Sequence, residues 1–135
     1  MRSGAPGDGA FIISIVMIKG KIKICGKDVN VAFCAAASIA FYNYTNGVSV
    51  PQYLRDVHDG KDDPAKDVYL IMAAVFAYYS GNDEELPIVD RDLSYNMTFQ
   101  ETVEALKTVV ALCNEYYSMP PGEPVDEEKG ADAKN

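Results

Sequence analysis

Hydrophobic and polar residues alternate through KIKIC at residues 21–25, and again where Val29, Val31 and Phe33 interleave with Asn30 and Ala32. A period of two puts one set of side chains on a single face of an extended strand. Gly26 and Lys27 lie between the two runs and fit a tight turn, so residues 21–33 are predicted to form a β-hairpin. A lone hairpin is marginal in water, and its apolar face needs another element to cover it.

At Phe33 and Cys34 the period changes. Phe33, Ala37, Ala40, Phe41 and Tyr44 recur at helical spacing until NYTNG at residues 43–47, where Gly47 stands ready beyond the last turn. Ser49 or Val50 before Pro51 opens a short helix with Tyr53, Leu54 and Val57 on its apolar side. A polar connection, HDGKDDPAK at residues 58–66, ends in Asp63-Pro64, a helix-start signature. The next segment, DVYLIMAAVFAYYSG at residues 67–81, holds twelve uninterrupted apolar or aromatic residues from Val68 to Tyr79. That is too short to span a bilayer and too apolar all round for a surface helix, so it is predicted to be the central helix.

GNDEELP at residues 81–87 reads as a loop, and Asp90 as the cap of a short helical segment over residues 91–96. Thr98 with Glu101 three positions on forms a capping box for the final helix. Along it Phe99, Val103, Leu106, Val110, Cys113 and Tyr117 step by four and three along one face. Pro120-Pro121-Gly122 ends it. The predicted fold is α+β and mainly helical: an N-terminal hairpin packed on three principal helices plus one or two short ones. Without strand–helix alternation in the second half, a doubly wound nucleotide-binding fold is not expected. The domain reading is a flexible lead-in and apolar run over residues 1–18, a single domain over 19–118 and a polar disordered tail over 119–135.

Charge narrows the partners. A formal net charge of −8 over 135 residues disfavours phosphate backbones and anionic membrane surfaces. Three widely spaced cysteines, Cys25, Cys34 and Cys113, suggest no disulfide framework, which fits a reduced, intracellular chain. Two N-x-S/T sequons, at Asn43 and Asn96, matter only after secretion. The apolar run FIISIVMI at residues 11–18 makes a poor signal peptide, being short, preceded by Asp8 and lacking a prompt cleavage site. Two readings stand for it: an extra strand, or a gene start placed too early, with Met17 the natural beginning.

Candidate chemistry is thin. His58 is the only histidine and lies in the polar connection, away from every cysteine in sequence. Cys34 at the head of a helix has the position of an activated nucleophile but no paired base, and its neighbours Ala35, Ala36 and Ala37 fit close packing. No C-x-x-C or cysteine–histidine cluster offers a zinc site. With Gly60 at the sixth place of a calcium loop, Arg55, Val57 and Lys66 fall on ligand positions, which excludes an EF-hand. No glycine-rich phosphate motif is present. No catalytic residue, cofactor or metal ligand is assigned, and an enzyme using carboxylates or Cys34 is the least favoured reading.

The positive feature is aromatic: nine tyrosines, with adjacent pairs at Tyr78-Tyr79 and Tyr116-Tyr117. Neighbours on a helix point about 100° apart, so one member of each pair faces the core and the other a groove or partner. Tyr53, Tyr79 and Tyr116 are the candidate partner-binding surface; the competing reading makes them amphipathic residues at the core edge.

With these elements in place, KIKICGKDVNVAFCAAASIAFYNYTNG, DVYLIMAAVFAYYSGNDEELP and TFQETVEALKTVVALCNEYY together resemble the small helical tail assembly chaperones of long-tailed bacteriophages and prophages. The resemblance covers about residues 17–118 and is architectural, without a catalytic motif. It implies a non-enzymatic cytoplasmic protein of the bacterial host. Such a protein binds a tape measure protein while the tail tube assembles and is absent from the finished virion. It also implies a longer form made by frameshifting. FIISIVMI and the alanine-rich first helix depart from the family pattern. The alternative is a small protein-interaction or regulatory module of a mobile element, and self-association is left open.

Overall fold

The computed structural model describes residues 16–88, 91 and 95–119. The chain divides into two units. Met17–Ser118 carries every element below, and the other lies outside the described residues except at Val16 and Met119. Residues 1–15 of the lead-in, residues 120–135 of the tail and most of the short helix expected over residues 91–96, with its Asp90 cap, also lie outside them, whereas Ile18, grouped with the lead-in, belongs to the first strand.

Two strands, β1 (Ile18–Ile24) and β2 (Lys27–Phe33), pair antiparallel, with Ile18 opposite Phe33 and Ile24 opposite Lys27. The turn is therefore Cys25-Gly26, one residue earlier than the sequence suggests. Both turn residues have positive φ, 54° and 79°, as a two-residue turn matched to strand twist requires. Gly26 adopts this freely, whereas Cys25 does so against its Cβ. β1 also starts before the alternating run, because Gly20 hides the pattern. A Cβ there would meet Leu112 Cδ1 at 3.3 Å and Thr108 Cγ2 at 3.4 Å, so its absence lets the last helix close on the strand.

Four helices follow: α1 (Ala35–Tyr44), α2 (Val50–His58), α3 (Pro64–Gly81) and α4 (Phe99–Tyr117). Each of the last three starts where a polar side chain caps it. Ser49 accepts from the Gln52 N–H at 3.2 Å, and Asp63 from the Ala65 N–H at 2.8 Å. Thr98 accepts from the Glu101 N–H at 3.0 Å. The fold is α+β and mainly helical, a hairpin packed against four helices. β2 lies on α3 and β1 on α4, while α1 and α4 both flank α3. Ile22, Ile24, Val29, Val31 and Phe33 from the hairpin join Phe41, Leu70, Ile71, Val75, Val109 and Cys113 in one core.

The α4 stripe is displaced from its predicted position. The buried residues are Ala105, Val109, Leu112 and Cys113, with Tyr116 partly covered, whereas Phe99 is 84% exposed and Tyr117 is also exposed. The fully buried positions centre slightly behind the predicted stripe: Cys113 is shared, Leu106 and Val110 stay partly buried at the edge of the core, and Phe99 falls outside it. Glu101 sets how the helix is rotated. Its carboxylate accepts from the N–H groups of Gly26 (2.9 Å), Cys25 (3.2 Å) and Thr98 (3.1 Å), closing the capping box and gripping the hairpin turn together. Glu101, Ala105, Thr108 and Leu112 then follow one another down the face turned to β1. Hydrogen bonds from Gly26 above all, then Thr98 and Cys25, hold the Glu101 carboxyl below its ordinary range.

Replacing Glu101 with Ala removes the clamp and half of the cap, and is expected to lower unfolding free energy in urea by about 2 kcal/mol. Glu101→Gln keeps one acceptor and should lose less. Cys25→Asn, a residue that tolerates positive φ ahead of glycine, should raise stability by about 0.5 kcal/mol in the same measurement.

Candidate interaction surface

The three tyrosines singled out from the sequence do not form a surface. Tyr53 is 1% exposed and Tyr79 7%, and Tyr116 is partly buried with its ring edge-on to Phe33 at 5.3 Å. Their hydroxyls explain the first two. Tyr79 Oη accepts the Asn30 backbone N–H at 3.0 Å, so the side chain covers an amide of β2. Tyr53 stacks near Phe41 and reaches the start of α3, where its hydroxyl accepts the Asp63 N–H at 2.8 Å. In the second pair, Tyr117 rather than Tyr116 is the exposed member, and its hydroxyl shares a hydrogen bond with Ser38 Oγ at 3.2 Å. The hydroxyls that suited these rings to water are satisfied by the protein instead.

Among the described residues Leu86, Tyr95, Phe99 and Tyr117 are exposed elsewhere, but five exposed apolar side chains, Ile39, Tyr42, Tyr44, Tyr69 and Phe76, lie on the neighbouring helices α1 and α3. α1 carries no charged residue: Ala37 and Phe41 point inward, while Ile39 is 62% and Tyr42 51% exposed. α3 buries most of its apolar residues but leaves Phe76 53% exposed. Between the two helices runs a shallow groove of about 400 Å³ lined by Ala36, Ile39, Ala40, Asn43, Tyr44 and Phe76. At one end the Tyr44 and Tyr69 rings lie 5.8 Å apart. Sequence reading passed over Ile39 because it is out of phase with the apolar stripe of α1, and over Phe76 because the all-round apolar α3 was expected to be buried on every side. The available signal was that α1 has no polar face to turn to water.

Other candidate chemistry is absorbed by the fold. Cys34 is buried; its backbone carbonyl accepts the Ala37 and Ser38 N–H groups, and no side-chain cap is made. Cys113 is buried in the core, and that burial pushes its thiol up to about 12. His58 is exposed at the end of α2, its ring facing only Asp59 at 3.4 Å. Among the described residues no group of three His, Cys, Asp or Glu side chains converges on a metal position. A second groove of about 490 Å³, between β1 and α4, is floored by Ile22 and Ala105 and rimmed by Lys21, Lys23, Asp28 and Glu104. Its carboxylates are already engaged: Glu101 by three backbone donors, Asp28 by Lys23 at 2.9 Å and Glu104 by Gln100 at 3.1 Å. Among the described residues no helix is long and apolar enough to cross a membrane.

Asp67 is the one buried acid among the described residues. Tyr53 Oη lies 2.5 Å from its Oδ1 and 2.9 Å from the Asp63 carbonyl. One phenolic proton cannot serve both acceptors. A protonated Asp67 donates to Tyr53 Oη, freeing the phenol to donate to Asp63, and every contact is then satisfied. Burial, reinforced by the nearby Asp62 and Asp63 carboxylates, raises the Asp67 carboxyl to about 6. Its proton is held more tightly folded than unfolded, so this contribution is full below the ordinary value of 3.8 and is lost as pH rises through about 6. Wild-type unfolding free energy should therefore fall between those pH values relative to Asp67→Asn, whose difference from wild type, measured by urea titration at each pH, isolates this group. A difference independent of pH would sink the assignment.

Compared with known proteins, the chain matches no family model, no curated protein and no solved structure.

Proposed function

We propose that this chain is a non-catalytic assembly chaperone of the phage tail type. In this reading its α1/α3 surface holds an apolar helical stretch of a tape measure protein in the cytoplasm of the bacterial host. The observation that carries this reading is the uncharged surface itself. Ile39 and Phe76 face solvent across an uncharged groove, on a chain in which 24% of residues are charged. Contiguous exposed apolar surface on a small domain marks a place where another chain binds. A groove between two packed helices suits a third helix, whose ridges seat between theirs. The architecture supports the same reading, since the hairpin leading directly into α1 and the long central α3 are the features on which the resemblance rests.

The test is co-expression with helical fragments of a phage tape measure protein, beginning with any long coiled-coil protein found to be encoded beside this chain. A fragment should co-purify with wild type, and Ile39→Ser or Phe76→Ser should lose it while shifting the melting temperature by no more than about 2 °C, as expected at exposed positions. Capture of a different encoded neighbour, with no tape measure fragment held, would favour the interaction or regulatory module instead.

A further inference from the structure

We infer that the helix docked between α1 and α3 is amphipathic and carries a cluster of Lys or Arg at the end lying beside the C-terminus of α3; this rests on the docking reading above. α3 presents Tyr69, Met72, Phe76 and Ser80 along one side, and α1 runs beside it in the opposite sense, Tyr44 meeting Tyr69 and Ile39 lying near Phe76. The two ends of this groove differ in charge. At the start of α3, the Asp63 carboxylate caps the helix and pairs with Lys66 at 3.3 Å, so its charge is compensated by both the helix dipole and a cation. At the far end no basic residue occupies the last turn, and the exposed Asp83, Glu84 and Glu85 follow at once. Among the described residues none of the three has a cationic partner; Glu84 only accepts from Tyr78 Oη at 3.3 Å. Three carboxylates at the negative end of an 18-residue helix oppose its dipole. Since α1 adds no charge of either sign, the groove itself is uncharged and mainly apolar, and three carboxylates follow the end of α3 beyond Phe76. A cationic turn on the partner complements that end, and its apolar stripe complements the rest. A second copy of the chain, at net charge −8, meets it with repulsion.

The probe is a synthetic helix-forming peptide of about 20 residues, long enough to run the length of α3, with a leucine stripe and three lysines at one end. The full chain should bind it. Phe76→Ser should weaken binding at least about tenfold, the scale of losing a central aromatic anchor. Combining Asp83→Asn, Glu84→Gln and Glu85→Gln should weaken it about fivefold and flatten its dependence on salt. The same peptide ending in glutamates should bind no better than a scrambled one. No binding of the lysine peptide, or equal binding of lysine and glutamate peptides, overturns the inference. If the triple variant keeps both the peptide and the tape measure fragment while Phe76→Ser loses them, the charge assignment falls and the docking reading stands. If Phe76→Ser keeps the fragment, the docking reading itself falls. A wild-type dimer that Phe76→Ser dissolves in sedimentation would make a second copy the occupant and overturn the inference as well.

Discussion

One carboxylate ties the two ends of this fold together. Glu101 stands 75 residues from Gly26 in sequence and 2.9 Å from its amide in space. The same two oxygens complete the cap of α4 and neutralise the donors of a turn in which Cys25 sits at positive φ. A charged acceptor facing three backbone amides is among the stronger polar contacts available near a surface. Its geometric consequence exceeds its energy, because it selects which side of α4 meets the hairpin. Once Glu101 points at the turn, Ala105, Thr108 and Leu112 must follow it onto β1, and Gly20 leaves the room for them.

The second organising constraint is α3. It is packed on by β2, α1 and α4, and its small residues Ala73, Ala74 and Ala77 are all buried. Alanine at these positions permits close approach by neighbours without large side chains to accommodate. The side of α3 left open is the one where Phe76 meets the uncharged outer side of α1. An amphipathic chain that folds alone would put polar residues there. This side of the molecule is therefore in local conflict with the amphipathic pattern that packing alone would favour.

Much of the secondary structure was legible because its signals are local. The Thr98–Glu101 box, the Asp63-Pro64 start and the Ser49 cap each depend on residues within one helical turn of one another. Strand alternation revealed the hairpin, although Gly20 concealed where β1 begins. The site was less legible. Tyr53, Tyr79 and Tyr116 were chosen because a phenol tolerates water, but a phenol equally suits a buried place with a partner waiting. Asp63, Asp67 and the Asn30 amide supply such partners from other segments.

By itself the sequence determined the element types, their order and their caps, since those follow from periodicity and from side chains reaching backbone groups a few residues away. It also determined that α1 has no charged face. Tertiary structure alone decided which part of the broad apolar arc of α4 is fully buried, because the distant turn, through Glu101, fixes how that helix is rotated. It likewise decided that Ile39 and Phe76 share one groove. Two residues on separate helices become a surface only when packing sets those helices side by side.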